Sequence, residues 1–203
     1  MAERTPTKGR ATRDAILDEA LHLSSELGLE GLTIGVLAAR AGLSKSGLYA
    51  HFDSKESLQC AVLDAAAVRF IDVVIRPALR QPRGVPRIER LFELWVRWED
   101  EELAGGCPII AAATDFDDRP GLVRDKVAGY IDDMIGAIQR AAQIAVEEGH
   151  FRSDLDTKQY AYEMWGTLLA HQQYRRLLGR ADALDRARRA VANLNDRSRP
   201  ETR

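Results

Sequence analysis

The chain is 203 residues long, with 29 Lys+Arg against 31 Asp+Glu and a net charge of -2. That length accommodates one or two domains with a sizeable core, and a hydrophobic content of 45% excludes wholesale disorder. The near-neutral total excludes a generally cationic, histone-like nucleic-acid binder, but not a DNA binder whose positive charge is confined to one surface. Two cysteines, Cys60 and Cys107, make no disulfide scaffold in a chain this long and point to a reducing compartment. The N-terminus is polar and basic, and the most apolar stretch, residues 61–75, is broken by Asp64, Arg69 and Asp72. The expectation is a cytoplasmic protein without membrane contact.

The charge is unevenly distributed. Residues 1–60 are net -1, residues 61–174 net -6 and residues 175–203 net +5. No acid occurs in the 22 residues from Gly31 to Phe52, which include Arg40, Lys45 and His51. Such a window suits a polyanion-facing surface, although one of this length also arises by chance.

The pattern predicts helices almost throughout and no strand. Thr12 caps a first helix with Ile16, Ala20, Leu23 and Leu27 on its apolar face, and Gly28 ends it. Thr33 caps a second helix, Ile34 to Arg40, and Ser44 a third, Lys45 to His51. Asp53 or Ser54 starts a long fourth helix to about Pro77, with Leu58, Val62, Ala65, Val68 and Ile75 as its stripe. The segment 81–86 breaks the chain. Further helices are expected over 87–103, 109–116, 122–148, 157–178 and 182–195.

Thr33 to Phe52 reads TIGVLAARAGLSKSGLYAHF. Two short helices around a Gly-containing turn form a helix-turn-helix pattern. Leu37, Ala38, Leu43, Leu48 and Phe52 suit its interior, leaving Ser44, Lys45, Ser46, Gly47, Tyr49 and His51 outward. Lys45, Tyr49 and Lys55 are candidate phosphate contacts, with solvated surface or half-buried packing as the plain alternative. Thr33 is first a helix cap. Ser44, Ser46 and His51 are candidate base-edge readers, and Gly47 lets the backbone approach DNA. Arg10 and Arg13 are candidates for the adjacent groove, or belong to a disordered arm. No Arg or Asn lies within Lys45–Phe52, so bidentate base reading must come from elsewhere.

The stretch LTIGVLAARAGLSKSGLYAHFDSKESLQCAVLD resembles the N-terminal DNA-binding domain of the TetR family of transcriptional regulators, over roughly residues 10–65. The resemblance implies a homodimer, a helical ligand-binding C-terminal domain, and DNA affinity changed by a small effector. It makes Lys45–His51 the recognition helix and assigns dimerisation to the last two large helices. Gly35 and Val36 depart from the family's usual polar or charged residues, and Gly35 weakens a short helix by up to ~1 kcal/mol relative to Ala.

The expected architecture is all-α: a three-helix DNA-binding domain over residues 10–55, with its motif at 33–52, and a helical ligand-binding and dimerisation domain over 56–195. Residues 1–9 and 196–203 are expected as flexible tails. Candidate ligand contacts are Trp95, Phe116, Tyr130, Met134 and Trp165, each equally readable as core. Candidate dimer residues are Tyr162, Leu169, Gln172, Leu184 and Val191. Cys107 at a helix start suits a low-pKa thiol, but more often such a residue is a small buried hydrophobe. The histidines are scattered, neither H-x-x-x-H nor C-x-x-C occurs, and no nucleophile–base pair or phosphate loop is present. No metal, cofactor or enzymatic activity is expected. The expected function is sequence-specific regulation of transcription by a dimeric repressor on a pseudo-palindromic operator. The competing reading is a helical interaction protein without sequence-specific DNA binding.

Overall fold

The computed structural model describes residues 8–201, with side chains from Thr12 onward; the Arg10 side chain and residues 1–7 lie outside the described residues. Among the described residues every regular element is helical. The order is α1 (Lys8–Gly31), α2 (Ile34–Ala41), α3 (Lys45–Tyr49), α4 (Lys55–Phe70), α5 (Arg76–Leu79), α6 (Val85–Arg97), α7 (Pro108–Phe116), α8 (Leu122–Glu147), α9 (Thr157–Gln172) and α10 (Ala183–Ser198). Three π-helical turns interleave them, at Ile71–Ile75, Trp98–Glu102 and Gln173–Leu177. The chain forms two compact units. The first holds the described residues up to Arg69 together with Leu103–Tyr130, and the second holds Phe70–Glu102 and the described residues from Ile131 onward. The first unit thus reaches well beyond residue 55.

In the first unit α1 packs on α2 and α7. Ile16, Ala20 and Leu23 are buried as the helical spacing requires, but Leu27 is exposed. Gly28 breaks the helix there at φ 73°, and the buried side continues through Leu29 and Leu32 instead. Gly105 lies directly on α1. Its N–H donates to Ser25 Oγ at 3.2 Å, and no side chain fits between the two backbones.

Ser54, not Asp53, caps α4, its hydroxyl accepting from the Ser57 N–H at 3.0 Å. The buried stripe runs Leu58, Val62, Ala66, Phe70, Val74 and Ala78, while Val68 is exposed. This stripe steps by four residues. Within the second unit the π turn at 71–75 keeps the four-residue step of the buried residues Phe70, Val74 and Ala78.

In the second unit α6 starts behind Gly84 (φ 88°), where the His150 ring occupies the space of a Cβ and accepts from the Val85 N–H at 3.2 Å. Phe70 meets the edges of Trp95 and Trp98, at centroid distances of 4.7 and 5.7 Å, and Trp95 meets Trp165 at 6.0 Å. Asp156 caps α9 by accepting from the Lys158 and Gln159 N–H groups. Helices α9 and α10 pack together, with the Tyr160 hydroxyl donating to Asn195 Oδ1 at 2.6 Å. Helix α10 extends to Ser198, which is buried, so residues 196–198 belong to the helix and not to a tail.

Candidate nucleic-acid interface

The α2–turn–α3 segment is built by local hydrogen bonds. The Thr33 hydroxyl accepts from the Val36 N–H at 3.2 Å and starts α2. Gly42 closes it in the left-handed conformation (φ 65°), and the Leu43 N–H returns to the Ala38 carbonyl. Ser44 then caps α3, accepting from the Gly47 N–H at 3.0 Å, and its hydroxyl lies 3.1 Å from that of Ser46. A Cβ at position 47 would lie 3.2 Å from Ser44 Oγ, so Gly47 also leaves room for this cap. Leu37, Ala38, Leu48 and Phe52 are buried and fix the two helices; Leu43 is exposed.

This anchoring leaves one continuous outward row. Ser44, Lys45, Ser46, Gly47 and Tyr49 are all exposed, while Thr33 and His51 are half-buried. Lys45 has no carboxylate partner among the described residues. Its side chain lies over Gly35, where a Cβ would sit 3.4 Å from Lys45 Cε, so the unusual glycine keeps space for this cation. The row is small, hydroxylated and cationic, the composition that meets phosphates and groove edges without steric or charge penalty.

The other cations described in this unit are engaged. Lys55 donates to the Glu30 carbonyl at 2.8 Å and to its carboxylate at 2.9 Å, and Arg119 reaches the same carboxylate at 3.0 Å. The Lys55 hydrogen bond, aided by the nearby positive charge of Lys55 and Arg119, holds the Glu30 carboxyl below its ordinary value. Lys55 therefore stands at the base of α4 as a brace to α1, and a phosphate contact from it has to compete with Glu30. Arg40 pairs with Glu19 at 2.9 Å, and Arg13 lies over the Phe52 ring at 5.3 Å.

The pattern described as "Bacterial regulatory proteins, tetR family" matches residues 16–62, and that of "Tetracyclin repressor-like, C-terminal domain" matches residues 84–191, more than half of the chain. The chain belongs to the TetR family of transcriptional regulators. Similar proteins include the HTH-type transcriptional regulator RutR of Escherichia coli (strain K12), 32% identical with 49% of this chain and 51% of that protein covered. The chain thus spans about half the length of such curated relatives. A TetR transcriptional regulator from Chloroflexus aurantiacus J-10-FL superposes with a TM-score of 0.82 at 27% identity, covering 93% of this chain and 94% of that one. The structure of AibR in complex with isovaleryl coenzyme A and operator DNA shares the fold, with a TM-score of 0.71 at 21% identity over 89% and 96% of the two chains. Among the described residues no helix is long and apolar enough to cross a membrane.

The five ligand candidates divide between the units. Trp95 and Trp165 meet in the second unit, where Met134 is also buried. Phe116 and Tyr130 belong to the first, with Arg119 over the Phe116 ring and the Tyr130 hydroxyl donating a short hydrogen bond to Asp64. None of the five lines either of two cavities found within the second unit. One of about 250 Å³ lies along α9 and α10, and one of about 400 Å³ is lined from Ile75 to Ile144. Of the dimer candidates, Tyr162 is exposed and Leu169, Gln172 and Leu184 are half-buried. Val191 is a correction: it is buried with Ala187 and Leu194 on the inner side of α10, where packing within the chain uses it up. Cys107 is fully buried at the start of α7.

Glu99 is a buried carboxylic residue that the sequence pattern does not single out. It has no solvent exposure, and neither carboxyl oxygen has a hydrogen-bond partner; the indole N–H groups of Trp95 and Trp98 and His171 Nδ1 are likewise buried without one. Burial, reinforced by Asp100, raises the Glu99 carboxyl well above its ordinary range, against a lowering contribution from Trp95 and Arg176. The signal was present: Ile88, Phe92, Trp95 and Glu99 stand at helical spacing on one face. The run Glu99–Glu102 reads as a solvated charge cluster and hides it.

Proposed function

We propose that this TetR-family regulator is a homodimeric repressor whose affinity for a pseudo-palindromic operator changes when a small molecule occupies the second unit. The observation that carries the reading is the outward row Ser44–Tyr49, cationic and hydroxylated within a segment free of acids. Lys45 and Tyr49 contact phosphates, Ser46 and His51 read groove edges, Ser44 acts first as the α3 cap, and Thr33 does the same for α2. Exposed apolar side chains on α9 and its π turn support a second copy as partner: Tyr162 is 72% and Leu177 80% exposed, with Tyr174 and Leu178 beside them in sequence. A two-fold dimer sets the two recognition helices about one DNA turn, roughly 34–36 Å, apart. Effector control is supported by the similarity to AibR, solved with both isovaleryl coenzyme A and operator DNA. A coupling of ~1–3 kcal/mol changes operator affinity several-fold to about a hundred-fold.

The test is binding to genomic fragments across a salt series. A specific footprint, over a site with two-fold symmetry and weakened steeply by salt, is the expected result. A protein that never exceeds its non-specific affinity on any fragment refutes the reading and favours a helical interaction protein.

A further inference from the structure

The cavity of about 400 Å³ in the second unit has a one-sided chemistry. Its walls are Ile75, Leu79, Leu91, Ile144 and three alanines, and its only polar side chains are Arg87 and Arg140. No carboxylate lines it. Arg87 donates from Nη2 to the Gln81 carbonyl at 3.1 Å, but its Nε is buried without a partner. Arg140 has no ion pair among the described residues, and its guanidinium is folded back over Gly136, where a Cβ would sit 3.0 Å from Nη1. By contrast, Arg83, Arg186 and Arg188 of the same unit each hold a carboxylate at 3.0 Å or less. An apolar chamber whose polar groups are all cationic donors complements one kind of guest. That guest has a compact apolar body and a single anionic, acceptor-only end.

We infer that this cavity binds a free amphipathic monocarboxylate, its apolar body among Ile75, Leu79, Leu91 and Ile144 and its carboxylate between Arg87 and Arg140. The forked guanidinium suits a carboxylate, and the buried Nε of Arg87 gains the partner it lacks. The volume admits a body on the order of a dozen non-hydrogen atoms, the size of a medium-chain or phenyl-substituted alkanoate. A role as effector site rests on the ligand-responsive reading above; occupancy of the cavity does not.

The full chain is titrated by calorimetry with octanoate, decanoate and 4-phenylbutanoate, and with the matching neutral amides. At least one acid is expected to bind saturably, once per chain, and its amide at least about ten-fold more weakly. Arg140→Gln and Arg87→Gln are each expected to lose about ten-fold or more, since each removes a charge-assisted hydrogen bond. Arg140 is exposed and unpaired, so its variant melts at the parent temperature and reports binding, not misfolding. Absence of saturable binding by all three acids, or equal affinity of acid and amide or of parent and Arg140→Gln, overturns the site. Operator affinity is measured separately with the same acid. Tight binding without a change in operator affinity supports the site and overturns its effector role. Operator release that persists in both arginine variants overturns the site and leaves the ligand-responsive reading standing.

Discussion

Replacing Gly105 by Ala tests the packing of the first unit with a single methyl group. The backbone φ of Gly105 is ordinary, so alanine is conformationally allowed and the obstruction is purely its neighbour. An ideal Cβ would lie 1.4 Å from the Ser25 carbonyl oxygen and 1.9 Å from its carbon. Contacts below 3.0 Å are essentially never seen, so α1 and the Leu103–Cys107 segment must separate by about 1.6 Å. The obstructing atoms are helix backbone and cannot rotate away. Overpacking of this kind costs about 1–3 kcal/mol, and the hydrogen bond from Gly105 to Ser25, worth about 1 kcal/mol, is lost with it. A total of about 2–4 kcal/mol lowers Tm by about 4–16 °C in a chain of this size. Gly129→Ala is the matched control. Gly129 lies within α8 with nothing inside 4 Å of its Cβ position, so the same methyl stabilises by up to ~1 kcal/mol through helix propensity. Both variants are melted and followed by circular dichroism. A Gly105→Ala protein within 1 °C of the parent refutes the argument, because α1 and α7 are then not held at this contact.

Three further outcomes follow from the geometry. Lys45→Ala and Tyr49→Phe each weaken operator binding, and Lys45→Ala lowers the slope of log affinity against log salt by about 1 without dissociating the dimer; unchanged operator affinity in both contradicts the contact assignment. Glu99→Gln stabilises the protein by on the order of 1–3 kcal/mol at neutral pH. The folded-state pKa is raised, so parent stability is fullest at low pH and falls as pH rises above the ordinary carboxyl range, where only the unfolded chain ionises freely. The gain from Gln is therefore larger at pH 8 than at pH 5, and a gain independent of pH shows that Glu99 titrates normally. Leu177→Arg, at a side chain 80% exposed, dissociates the dimer in sedimentation experiments while leaving Tm of the isolated chain within about 2 °C; a dimer that persists moves the interface off this end of α9.

The helix-turn-helix segment was readable because its signals are local. Thr33 and Ser44 cap the helices that follow them, and Gly42 makes a turn that few other residues make. Leu48 is the one aliphatic side chain of α3, and it is the one that is buried. What surrounds that segment was less readable. Lys55 looks like a free cation at the start of α4, and only the fold brings Glu30 to it. Val191 fits a partner-facing stripe as well as an internal one, and spacing alone does not say which face of α10 meets α9. Val68 was misplaced because the buried face of α4 steps by four residues, through Leu58, Val62, Ala66 and Phe70, and not by three; Leu27 was misplaced because Gly28 interrupts the helix directly after it and Leu29 and Leu32 take the buried side.

The sequence by itself determined that the chain is helical, where its helices break, and that Gly31–Phe52 presents hydroxyls and cations without acids. These features depend on neighbours within a few residues. The near-zero net charge likewise resolves into blocks of opposite sign without any structure. Only the tertiary structure decided which charges remain available and which chambers exist. Lys45 has no carboxylate partner among the described residues while Lys55 is held by Glu30, and Glu99 is fully buried with neither carboxyl oxygen hydrogen-bonded. Arg87 and Arg140 come from different helices to one apolar cavity. The Lys55–Glu30 pair and the meeting of Arg87 with Arg140 join residues distant in sequence, and burial and ion pairing are set by what the fold brings within a few ångströms.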